Sequence, residues 1–104
     1  MGDRGNIKIV YSQGEPVYFY THWRGSEIQD IVKTALARRE RWDDDLYLAR
    51  IIFSEMIKGN ESAETGFGIG PFECEEGSPL LTVNTEKQTV TFKGKTVSFE
   101  RFIG

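Results

Sequence analysis

The chain has 104 residues, 38% of them hydrophobic and 28% charged, with a formal net charge of −3. That length can bury a core without disulfide or metal staples and reads as one globular domain over residues 1–104. The composition excludes a membrane span, which needs about eighteen or more apolar residues in a row. The acidic balance disfavours non-specific nucleic-acid binding, which needs many phosphate-neutralising cations.

One cysteine and one histidine allow neither an internal disulfide nor a four-ligand zinc site. A reducing, cytoplasmic setting fits this usage. Cys74 lies among Glu73, Glu75 and Glu76, whose charges disfavour a thiolate, so it is a poor nucleophile. The polar start MGDRGN is expected to be neither a secretory signal nor a transit peptide.

The first elements are two strand-like runs separated by SQGEP. Ile7, Ile9 and Tyr11 alternate on one, and Val17, Phe19 and Thr21 on the other, which predicts a hairpin with one buried face. Tyr18, Tyr20 and His22 share the second face, an aromatic surface with hydrogen-bonding tips. Next, Ile28, Ile31, Val32, Ala35 and Leu36 follow helical spacing. Ser26 with Gln29 matches a capping box at the start, and Arg38, Arg39 and Arg41 complement the dipole at the end.

A second helix is predicted in WDDDLYLARIIFSEMIKGN, capped by an aspartate and stopped at Gly59 or Asn60. Leu46, Leu48, Ala49, Ile52, Phe53, Met56 and Ile57 form its apolar surface, while Tyr47, Arg50, Ser54 and Lys58 line another face. Arg50 borders the apolar surface and is expected to pair with a carboxylate such as Asp3 or Glu64, or to face a ligand anion.

Residues 59–79 are glycine-rich and without helical period, a long connection of the kind that carries function, with room for one short strand. Three strands follow as a meander around 80–84, 88–93 and 96–102. The predicted class is α+β: an antiparallel sheet of about five strands, order ββααβββ, packed on two helices.

Candidate chemistry gathers in GDRGN, in YTHWRG, in Arg50 with Ser54 on the second helix, and in TGFGIG. The hairpin places the start of its first strand beside the end of its second, so Asp3, Arg4 and Asn6 approach His22, Trp23 and Arg24. Free N–H groups between a strand end and a helix start favour an anion there. TGFGIG matches neither the dinucleotide fingerprint nor the phosphate-binding GK[ST] loop. Its alternating glycines would leave one strand face bare for close approach.

The set GDRGNI, YTHWRG, YLARIIFSEMI and TGFGI resembles a family of short phage and bacterial proteins that has no established catalytic residues. The resemblance implies a small intracellular, phage-borne protein. In size, setting and pocket chemistry the chain is also similar to phage sponge proteins, which bind nucleotide immune signals and withhold them from host effectors.

The reading that follows is a non-enzymatic binding protein for a small anionic, nucleotide-like ligand such as an ADP-ribose derivative or cyclic nucleotide. It needs no cofactor or metal and suits a homo-oligomer. Trp23 and Tyr20 would stack on the ligand and Arg4, Arg24 and Arg50 would neutralise its charge. Asn6, His22 and Thr65 would hydrogen-bond it, and Gly66 and Gly68 would permit close approach. The rivals are an interaction module that inhibits a host factor through the aromatic hairpin face, and a small hydrolase using His22 as base.

Overall fold

In the computed structural model, which describes residues 2–75 and 77–104, six strands form one sheet with three α-helices. The strands are β1 (Gly5–Val10), β2 (Val17–Thr21), β3 (Phe67–Gly70), β4 (Leu80–Asn84), β5 (Thr89–Phe92) and β6 (Lys95–Ser98). The helices are α1 (Ile28–Ala37), α2 (Asp45–Ile57) and α3 (Phe99–Ile103), and a 3-10 turn at Gly25–Glu27 leads into α1.

The α+β class holds, but the sheet is mixed, with order β3-β2-β1-β4-β5-β6. β4 runs parallel to β1, Asn6 facing Leu80 and Val10 facing Asn84, while every other pairing is antiparallel. The glycine-rich segment supplies the sixth strand, β3, on the outer edge of the hairpin. The chain then returns to the start of β1, where the Asn6 amide donates to the Pro79 carbonyl at 2.9 Å. A strand entering from that end must run parallel to β1, and the two helices and β3 provide the long crossover this requires.

The predicted strand at 96–102 is also corrected. β6 ends at Ser98, whose hydroxyl accepts from the Arg101 amide at 3.1 Å and starts α3. Phe99, Phe102 and Ile103 stand at helical spacing and turn toward the core, Phe99 packing edge-on against Trp42 with centroids 5.3 Å apart.

All helices contribute to one core cluster with the inner face of the sheet. Ile7, Ile9, Phe19, Leu81, Val83 and Val90 meet the predicted α1 stripe of Ile28, Ile31, Val32, Ala35 and Leu36. On α2, Leu48, Ala49, Ile51, Ile52 and Met56 are buried, and Phe53 reaches the Phe19 ring at 5.0 Å. Leu46, expected on the apolar surface, is exposed, and Ile51 takes the buried role instead. The α2 start is as predicted: Asp44 accepts from the Tyr47 amide at 3.2 Å.

Ser26 does not cap α1 with its side chain, because its hydroxyl donates to Asp3 instead. Nor do arginines occupy the last turn of α1. Arg38 is its C-cap, just past Ala37, while Arg39 and Arg41 lie beyond it with φ of 56° and 58°. No helix among the described residues is long and apolar enough to cross a membrane.

Ile52 is fully buried at the centre of α2. Ile52→Ala is expected to lower unfolding free energy by about 2–5 kcal/mol, the sum of lost transfer energy and a cavity, with an unchanged denaturant slope. A loss under about 1 kcal/mol in urea titrations would contradict this placement.

Candidate functional site

The first residues of the chain close onto the β2–α1 junction. The Asp3 amide donates to the His22 carbonyl at 2.7 Å, and the Gly25 amide donates to the Asp3 carbonyl at 2.6 Å. The Asp3 carboxylate accepts from the Ser26 amide at 3.0 Å and from its hydroxyl. It thus satisfies a free N–H at a helix start, the task that the sequence suggested for Ser26. The crossing requires glycine at position 25, because a β-carbon there would overlap the Arg4 carbonyl. GDRGN and YTHWRG are therefore neighbours, as the hairpin geometry predicts.

On the sheet face away from the helices, three strands lie in register. Asn6, Tyr20 and Gly68 form one row, and Lys8, Tyr18 and Gly70 the next. His22 continues β2 beyond them, its amide donating to the Gly66 carbonyl at 2.8 Å. The rows thus run from a polar or cationic side chain through a tyrosine to a bare backbone position. Space above Gly68 and Gly70 is empty: a β-carbon on either would meet nothing within 4 Å. A groove of about 160 Å³ lies there, lined by Tyr18, Tyr20, Gly68, Ile69, Gly70, Phe72 and Cys74.

The side chains around this groove are held from β1. The Asn6 amide group is fully buried, donating to the Cys74 carbonyl at 2.7 Å and accepting from the Cys74 amide at 3.1 Å. Asn6 therefore anchors the groove wall and has its amide committed. Arg4 Nε donates to His22 Nδ1 at 3.2 Å, and Arg4 also pairs with Glu75 at 3.3 Å, both side chains about half exposed. Because Arg4 can only donate, Nδ1 is an acceptor and the neutral ring carries its proton on Nε2. The Tyr20 hydroxyl, 3.1 Å from the same nitrogen, is then a second donor. Burial, followed by the charge of Cys74, pushes the Tyr20 phenol above its ordinary value, with Arg4 partly opposing, which keeps it protonated. Gly2 packs on the Nε2 edge of the ring. His22 is thus half-buried, with Nδ1 contacted by both Arg4 and Tyr20 and Gly2 beside its Nε2 edge.

Five other predicted site residues lie off this grid. Trp23 stands at the sheet end with 47% of its surface exposed, edge-on to Phe67 with centroids 5.7 Å apart. Its indole occupies the space over Gly66, which has φ of 99°, so the close approach Gly66 permits is to this ring. Arg24 caps the end of α2, donating to the Glu55 and Met56 carbonyls at 3.2 and 2.9 Å, and pairs with Glu27 at 3.0 Å. Thr65 is exposed beside Gly66. Arg50 is exposed on α2 and forms none of the expected pairings with Asp3 or Glu64.

Tyr18, Lys8, Gly70, Phe72 and Cys74 join the site without having been singled out as ligand contacts. The first three were readable as one further period-2 step along each strand. Phe72 and Cys74 depend on the return path to β4. Comparisons of the chain with protein-family models, curated proteins and solved structures return no match.

Two outcomes follow. The Ser26 hydroxyl, then its amide, hold the Asp3 carboxyl below the usual carboxylate range. Its stabilisation is complete above the ordinary carboxylate value and is lost as pH falls through the lowered one. The melting-temperature gap between wild type and Asp3→Asn should be widest near neutrality and close in acid. A gap constant with pH would refute the pairing. Gly66→Ala should displace the indole and shift Trp23 emission in a Trp42→Phe background, where Trp23 is the remaining tryptophan. An unchanged spectrum would contradict the ring's position.

Proposed function

We propose that this chain is a non-enzymatic binding protein for a small anionic ligand with a planar ring, nucleotide-like in chemistry. In the phage setting that its sequence resemblance implies, it would withhold that ligand from a host effector. One observation carries the reading: Tyr18 and Tyr20 stand beside the bare positions Gly70 and Gly68 on a sheet face without a helix. A planar ring laid on the glycine backbone meets a tyrosine at its side and Phe72 at its rim, the combination of flat apolar contact and polar tips that binds a base.

The groove holds one ring, being smaller than the roughly 300 Å³ at which pockets for whole drug-sized ligands begin. The charged part of the ligand extends over the sheet toward cations in and just before β1. Lys8 stands over the Tyr18 ring at 5.6 Å, and Arg4 is held by a half-exposed ion pair with Glu75. Such pairs contribute at most about 1 kcal/mol, so a phosphate can replace Glu75. Engagement of His22 Nδ1 by Arg4 and Tyr20 supports binding over the hydrolase reading, since that nitrogen is not free to act as a base.

Gly68→Val provides a test that spares the fold, because the position has room, an ordinary strand backbone and no contact to lose. The protein is incubated with a panel of nucleotide signals, recovered, heat-denatured, and its supernatant analysed. Expected is depletion of a panel member and its intact release on heating, both lost in Tyr20→Ala and, at unchanged melting temperature, in Gly68→Val. Glu75→Gln, which frees Arg4, should tighten capture. Capture that survives Gly68→Val would remove the groove from the mechanism. Cleaved ligand would support a hydrolase, and no depletion of any panel member the interaction module.

A further inference from the structure

The α1–α2 turn has a second concentration of unsatisfied charge, on the helix side of the sheet and therefore opposite the groove. Arg39 and Arg41 both have left-handed backbone, which a residue with a β-carbon seldom adopts. For Arg39 the compensation is visible: a bidentate pair with Glu100 at 2.7 and 2.8 Å, and a position over the Trp42 ring at 5.5 Å. Arg41 has no such carboxylate among the described residues. Its guanidinium lies over the Tyr47 ring at 5.1 Å. Arg50, one turn further along α2 from Tyr47, is exposed and also has no ion pair or side-chain hydrogen bond among the described residues.

The neighbouring acids are engaged elsewhere. Asp43 accepts from Gln88 Nε2 at 2.7 Å, Asp44 caps α2, and Asp45 accepts from the Ser12 amide and hydroxyl at 3.1 and 2.8 Å. Glu40 is paired with Arg38 at 2.6 Å. Arg38, Glu40, Arg41, Tyr47, Arg50 and Ile51 line one open depression of about 590 Å³. Three guanidinium groups there face one carboxylate, in a chain whose formal net charge is −3.

We propose that this depression is a second ligand site, specific for a diphosphate group and independent of the aromatic groove. Arg41 and Arg50 supply planar donor forks that match phosphate oxygens, the geometry in which charge-assisted bonds are strongest. Tyr47 fixes the Arg41 plane, and Arg38 balances Glu40 at the rim. A diphosphate provides more than one negative charge and enough oxygens for both forks, whereas a monovalent anion leaves one arginine uncompensated.

Calorimetric titration of the full chain with inorganic pyrophosphate at low ionic strength tests the site. One pyrophosphate per chain is expected, with affinity falling about ten-fold or more in Arg41→Gln/Arg50→Gln, whose exposed positions keep the melting temperature unchanged. Glu40→Gln should tighten binding, because it removes the only carboxylate lining the depression among the described residues. Tyr20→Ala should leave pyrophosphate affinity unchanged, which separates this site from the groove. Absence of pyrophosphate binding at millimolar concentration would overturn the proposal. So would equal affinity in the double variant, or binding of single-stranded DNA without binding of pyrophosphate.

Discussion

A β-carbon on Gly5 would stand 2.9 Å from the Gly25 α-carbon, and one on Gly25 would overlap the Arg4 carbonyl. The amino-terminal segment therefore crosses the β2–α1 junction backbone on backbone, at a separation that excludes side chains. Much follows from this contact. It lets Asp3 reach the helix start, places Gly2 against His22, and aims Arg4 along the sheet face at Nδ1 of the same ring. The bonds at this crossing are individually modest, but each fixes the geometry of the next.

The sheet is asymmetric for a related reason. Its inner face is filled by aliphatic residues and three helices, while its outer face has tyrosines, threonines, a lysine and glycines with no helix above them. A flat surface of this kind is held rigid by the buried side. The α1–α2 turn contrasts with it: charge is dense there, the backbone is left-handed at two arginines, and only some of the cations have partners. One face offers shape and the other charge.

Elements whose signals are local were legible in the sequence. The inward set Ile7, Ile9 and Phe19, the whole α1 stripe and the Asp44 cap are present as their spacing implied. Juxtaposition of GDRGN with YTHWRG also followed, since a hairpin fixes which ends meet. Four readings failed for identifiable reasons. Ser26 satisfied a capping pattern, but a carboxylate from a distant segment competed for its hydroxyl. Arg24 looked like a free cation beside a helix start, although its long side chain reaches the end of a different helix. Arg50 looked partly buried from the helical wheel, yet the stripe rotates so that Ile51 takes the inner position. Residues 96–102 read as one strand, although Phe99, Phe102 and Ile103 have helical spacing behind a serine.

The parallel pairing of β1 with β4 has a consequence for how the protein comes into being. β1 is central in the sheet, and the neighbour on its open side, Leu80–Asn84, is synthesised only after the hairpin, α1, α2 and β3. Until then β1 is itself an edge, with Ile7 and Ile9 on one face and an unpaired row of amides and carbonyls along its side. Non-local closure of this kind delays folding relative to the hairpin and helices, which form from local contacts. The nascent chain is thus most open to aggregation in the interval before β4 arrives, and chaperone dependence would be decided in that interval rather than by the stability of the finished fold.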